Sequence, residues 1–226
     1  MPKFPVTNPV NTAAKLTGRD GDQDFRLENC AACTAGALTG LTSGQVVLAV
    51  FGKFKKPLTP TRGYEPDATF AILGAEARTA KLKPPKFSAP PLKAGDDPSQ
   101  HELQVHAAAA ESSTHVQIKA LRDWVLQKRG GTCQKLGDVK TSVPLAEAKL
   151  WMAKLDSGTE FAVYFTSMDA QTMGHWIYAE NRGHSVEFVD YQQYLPAGHA
   201  PVASSKPSCC GLASNDAMMI VLAFSP

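Results

Sequence analysis

Two stretches of the chain carry side chains whose types and spacing suit chemistry. The first is Glu28-Asn29-Cys30-Ala31-Ala32-Cys33-Thr34, which opens an alanine-rich segment with two thiols. Asn is a favoured helix N-cap, Ala31, Ala32, Ala35 and Ala37 are helix formers, and Gly40 is placed to end the helix. Thiols in the first turn of a helix meet its N–H groups and the positive end of its dipole, and both favour thiolate. The same N–H groups can bind an oxyanion. The second stretch runs from Gly174 to Asp190. Read as a strand, it puts His175, Ile177 and Ala179 on one face and Trp176, Tyr178 and Glu180 on the other. After a turn at Asn181-Arg182-Gly183, a second strand puts Val186, Phe188 and Asp190 on a shared face. His175 and Asp190 then stand near the open ends of neighbouring strands, roughly opposite one another. An imidazole beside a carboxylate has its tautomer fixed and its imidazolium stabilised. Thiol, imidazole and carboxylate together are the parts of a nucleophilic amide hydrolase.

Other uses of the thiols fit less well. A redox Cys-x-x-Cys needs a thioredoxin-like βαβ context, which the flanking pattern lacks. A zinc site needs two more ligands at close spacing, whereas Cys209-Cys210 is adjacent and Cys133 stands alone. No cofactor or metal is expected. Plain buried thiols, and a surface His beside an exposed Asp, are the bland alternatives. Between the two thiols, Asn29 as cap places Cys30 at the first helical position, where the field is strongest. Ala32, before Cys33, cannot cap. Gln192 is a candidate for a substrate or oxyanion contact, against a plain loop Gln. His101, His106, His115 and His184 read as solvent-exposed, and Trp124, Trp151 and Trp176 as packing residues.

The elements that must position these groups follow from pattern. The helix from Asn29 is followed by Val46 to Phe51, which suits a strand or a second helix equally. A Lys/Pro-rich insertion occupies about residues 53–110, with a small element possible around Ala68 to Ala77. From Lys53 to Lys93 there are nine Lys/Arg and three Asp/Glu with little aromatic interleaving, so a nucleic-acid platform is not expected. Ile118, Leu121, Trp124 and Val125 recur at helical spacing until Gly130-Gly131. A further helix is expected from Pro144 to Leu155, capped by Ser142, with Leu145, Ala148, Leu150, Trp151 and Leu155 as its apolar side. Strands are expected at Phe161 to Thr166, through the hairpin, and at Met218 to Phe224. Helices followed by an antiparallel sheet define an α+β domain, taken as one unit over residues 1–226. The apolar runs are far too short to cross a bilayer, so no membrane insertion is expected. Met1 to Val10 holds three prolines and no apolar core, so no secretory signal is expected either.

The order Cys, then His, then Asp some fifteen residues after the His is also that of the papain-like fold. Two blocks, Arg26-Leu27-Glu28-Asn29-Cys30-Ala31-Ala32-Cys33 and Gly174-His175-Trp176 with Asp190-Tyr191-Gln192, carry a closer likeness. The sequence resembles the papain-fold toxin domains of bacterial polymorphic toxin systems, related to protein glutamine deamidases. The element leading to the His matches Leu145 to Phe165, and the likeness covers about a third of the chain. Comparison with papain-type sequences favours Cys33 as nucleophile, against the capping argument for Cys30. The resemblance implies a papain-like fold with an N-terminal catalytic helix and a sheet carrying the His and Asp. It implies a bacterial effector, such as a type VI secretion substrate, exported without a signal peptide and acting in the target-cell cytoplasm. It also implies a target-cell protein as substrate, by glutamine deamidation or peptide cleavage, and a cognate immunity protein as partner. Alternatives from other classes are a peptidoglycan amidase effector and a non-enzymatic binding module with structural Cys and His.

Overall fold

The computed structural model describes residues 10, 30–51, 97, 114–115, 117–166, 175–183, 185–192, 201–207 and 218–226. The proposed insertion at 53–110, and His101, His106, His184 and His199, lie outside the described residues, residue 97 excepted. Within them the chain is α+β. Helix α1 spans Cys30–Thr39 and α2 spans Ser43–Phe51. A third helix, α3, covers residues 114–115 and 117–129, and α4 is Leu145–Ala153. The strands are β1 (Thr132–Leu136), β2 (Val143–Pro144), β3 (Glu160–Thr166), β4 (His175–Asn181), β5 (Val186–Val189) and β6 (Met218–Ser225). They form one antiparallel sheet in the order β1-β6-β3-β4-β5, with β2 also paired to β6.

Local chemistry explains the helix boundaries. At the end of α1, Gly40 takes φ +72°, and Leu41 N–H donates to the Gly36 carbonyl at 3.0 Å. This is a Schellman stop, which needs a left-handed residue and so favours glycine. The undecided Val46 to Phe51 run is helical because Thr42 and Gln45 form a capping box. Gln45 N–H donates to Thr42 Oγ1 (3.1 Å), and Thr42 N–H donates to Gln45 Oε1 (2.8 Å). For α4 the expectation needs correction. Pro144 is the extended residue before the helix (φ −66°, ψ 154°), no side chain caps it, and the helix ends at Ala153. Its buried side is Leu145, Ala148 and Met152, whereas Leu150 is 65% exposed and Trp151 only half-buried. On so short a helix these three residues, at i, i+3 and i+7, fill the stripe that faces the sheet.

β6 lies between β3 and β1, and its six middle residues are buried. A strand covered on both faces reads as a continuous apolar run, as Met219 to Phe224 does. Two cores result. On one face α1, α2 and α3 pack over Ala162, Tyr164, Trp176, Tyr178, Ile220, Leu222 and Phe224. On the other, α4 packs over Phe161, Val163, Ile177, Ala179, Val186, Phe188, Met219 and Val221. The helical face is tight because α1 is built of small residues. A Cβ on Gly36 would come within 2.6 Å of the Leu41 carbonyl oxygen.

One buried ion pair ties the helical layer to the sheet. Arg129, at the end of α3, donates from Nη1 to Glu160 Oε2 (2.6 Å) and to the Leu38 carbonyl in the last turn of α1 (3.2 Å). Tyr178 donates to Glu160 Oε1 (2.9 Å) and lies 3.2 Å from Glu180 Oε2. Arg182 pairs with Glu180 at 2.9 Å. Deleting one partner of a buried pair leaves a charge that water cannot reach. Arg129→Ala is therefore expected to cost ~3–5 kcal/mol of stability, read as a lower urea midpoint. Adding Glu160→Gln in the same chain is expected to recover part of that loss.

Candidate active site

The hairpin places His175 and Asp190 together. Its register pairs Tyr178 with Val189 and Asn181 with Val186, so the loop is residues 182–185. Asn181 Oδ1 accepts the Gly183 N–H (2.9 Å), Gly183 takes φ +91°, and Arg182 N–H donates to the Ser185 carbonyl (2.8 Å). These bonds close the turn and fix which residues meet at the open end. There His175 Nε2 lies 3.1 Å from Asp190 Oδ2, with side-chain exposures of 10% and 4%. Asp190 is held from its other side, since Oδ1 accepts the backbone N–H of Gln192 at 3.0 Å. A carboxylate only accepts, so the proton of the His175–Asp190 bond sits on Nε2. Nδ1 is then the nitrogen left to act as base. The backbone of Gln192, rather than its side chain, is the part that meets Asp190.

Both thiols lie in the first turn of α1, and both are buried. α1 packs on β4 and β3 in a defined direction. Its last turn is anchored through Arg129 to Glu160, which pairs with Glu180 at the end of β4 remote from His175. Cys30 lies eight residues back from Leu38, or ~12 Å along the axis at 1.5 Å per residue.

Strand alternation adds a second constraint. Trp176 and Tyr178 face the α1 side, while Ile177, Ala179 and Phe165, the cross-strand partner of His175, pack on the α4 side. Asp190 continues the face of Val186 and Phe188, also on the α4 side. The imidazole is hydrogen-bonded to Asp190.

The remaining groups fall elsewhere. Trp176 is buried and donates to Gln117 Oε1 in α3 (3.1 Å). Trp124 is buried, with Lys128 Nζ 4.4 Å from its ring centroid. His115, expected to be exposed, is half-buried, and its Nδ1 lies 3.5 Å from Asp138. Asp138 also binds Lys135 (2.8 Å) and the Val139 N–H. Burial opposes the charge of Asp138, yet these partners hold its carboxyl below the usual range. The cluster of Glu160, Tyr178, Glu180 and Arg129 was not foreseen from sequence. Its signal is a charged residue, Glu160, opening an apolar strand. Burial first, and then Glu160 and Glu180, push the Tyr178 phenol far above its ordinary value. Tyr191, in edge-on contact with Tyr178, is pushed up to about 12 by burial and by Glu180. Both phenols therefore remain protonated near neutral pH.

No protein-family model matches the chain, and no curated protein is detectably similar to it. Among the described residues, no helix is long and apolar enough to cross a membrane.

Cys133 on β1 is the counter-example to a nucleophile. Burial pushes its thiol up to about 11, only partly offset by the Arg122 guanidinium. Thiolate, the alkylated form, is then scarce at pH 8 and grows as pH approaches that value. Iodoacetamide labelling at pH 8, mapped by peptide mass, is expected to modify Cys133 more slowly than a small-molecule thiol. The rate at Cys133 should climb steeply between pH 9 and about 11.

Proposed function

We propose that the chain is a thiol-dependent amide hydrolase of papain-like type. Cys30 or Cys33 is the nucleophile, His175 the acid–base and Asp190 the orienting carboxylate. The observation that carries this reading is the buried His175–Asp190 bond. It engages Nε2 and reserves Nδ1 for a proton. In this mechanism the thiolate adds to a carboxamide or peptide carbonyl. Main-chain N–H groups at the start of α1 receive the oxyanion. His175 delivers a proton to the departing ammonia or amine, leaving a thioester, and then activates the water that hydrolyses it. The resemblance to papain-fold toxin domains favours a bacterial effector that deamidates a protein glutamine, with peptide cleavage next, restrained at home by an immunity protein. Gln192 is retained as a possible substrate contact.

A second reading, a binding module with structural Cys and His, is favoured by the alternation of β4, which sets the imidazole on the face away from α1. The two readings separate by mutation. In the enzyme, loss of an orienting carboxylate costs about 10⁴ in rate. Asp190→Asn is thus expected to reduce toxicity strongly, and His175→Ala and the nucleophile's Cys→Ala to abolish it, with thermal melts of each variant as the folding control. Because the residues act as one unit, the effects are expected not to add. The measurement is growth of cells expressing each variant from a tightly repressed promoter, with mass spectrometry of their proteins for Gln-to-Glu conversions or new termini. A His175→Ala chain that is fully toxic at wild-type abundance makes the binding module the better reading.

A further inference from the structure

The two thiols of α1 are both reduced in the structure and both sit in its first turn. They are three residues apart. On an α-helix that spacing means a rise of ~4.5 Å and a sideways step of ~2.3 Å, hence Cα atoms about 5 Å apart. Disulfides span Cα separations of roughly 4.4–6.8 Å. Positions i and i+3 also share a helix face, so the two side chains lean the same way. The exposure of Cys30 is 7% against 1% for Cys33. Cys30 is thus the more exposed of the two.

We infer that Cys30 and Cys33 are a thiol–disulfide switch that closes into a bridge within the first turn of α1. The oxidant is a low-molecular-weight disulfide such as oxidised glutathione. The thiolate of Cys30 attacks one of its sulfurs, forming a mixed disulfide and releasing one glutathione thiolate, which takes up the proton lost by Cys30. The thiolate of Cys33 then attacks the Cys30 sulfur, releasing the second glutathione, which takes up the proton of Cys33. Two electrons pass from the protein to the small disulfide, and both glutathiones leave as thiols. The bridge requires the first turn to tighten, because i, i+3 Cβ atoms on a regular helix stand about 5–6 Å apart and a disulfide holds them at roughly 3.5–4.5 Å. Its consequence, that oxidation silences the chain and reduction restores it, rests on the reading that one of these thiols is the nucleophile.

The test uses the full chain, purified reduced and incubated with oxidised glutathione. Remaining thiols are blocked, and the protein is weighed intact and mapped by peptide. The expected product has lost two hydrogens, carries no glutathione, and maps to Cys30–Cys33. Dithiothreitol should reverse it. Cys33→Ser is expected to trap glutathione on Cys30, and Cys30→Ser to leave Cys33 unmodified. Because these thiols are buried, melts of both variants serve as folding controls, and the wild-type result decides alone if either unfolds. Stable glutathione adducts on wild-type chain, a bridge involving Cys133, Cys209 or Cys210 instead, or no reaction at all would each overturn the switch. A bridge that forms without altering toxicity leaves the geometry standing and counts against the nucleophile reading instead.

Discussion

A carboxylate that cannot reach water must be met by charge from within, and Glu160 imposes that requirement on everything around it. It opens β3, is 6% exposed, and draws Arg129 from the end of α3 and the Tyr178 hydroxyl from β4. Arg129 in turn takes the Leu38 carbonyl, one of the last-turn acceptors that α1 cannot satisfy itself. A single guanidinium thereby joins two helices and a strand. Because α1 is a nearly featureless rod of small buried residues, side-chain shape alone gives it little to define its direction over the sheet. The charge at its C-terminal end pins that end to the sheet.

The hairpin behaves as a separate, locally determined unit. Asn181 closes the turn through its side chain to Gly183 and also donates to the Met152 carbonyl in the last turn of α4 and the Leu155 carbonyl just past it. The same residue sets the hairpin register and docks the hairpin on the helix below. The meeting of His175 with Asp190 is thus a consequence of turn chemistry, whereas the position of the thiols is a consequence of tertiary packing.

That division explains what could be read from the residues. The His175–Asp190 pair was legible because a strand has a period of two and the Asn-Arg-Gly turn limits the register. The helix at Cys30 was legible from alanine content and Gly40. The face of the sheet that α1 covers was not, because nine of its ten residues are buried and no polar side marks an outside. β1 was missed because an edge strand, Thr-Cys-Gln-Lys-Leu, has half-exposed residues and no clear alternation. β2 has two residues, too few for any periodicity. Leu150 was assigned to the core because it flanks Trp151, but the stripe on α4 passes through Met152 instead.

The central place of β6 bears on how the molecule acquires its structure. β6 pairs with β3, and with β1 still earlier in the chain, and supplies buried residues to both cores. Until it arrives, β3 offers an open edge and two apolar faces, and β1 has no partner strand in this sheet. Pairings between such distant segments are slow to form, and an open edge beside apolar faces invites association with other chains. A newly made chain must therefore remain in an incomplete, sticky state until its last strand is available. Holding back or chaperoning that one segment would be sufficient to keep β1 and β2 from joining the β3–β4–β5 part of the sheet.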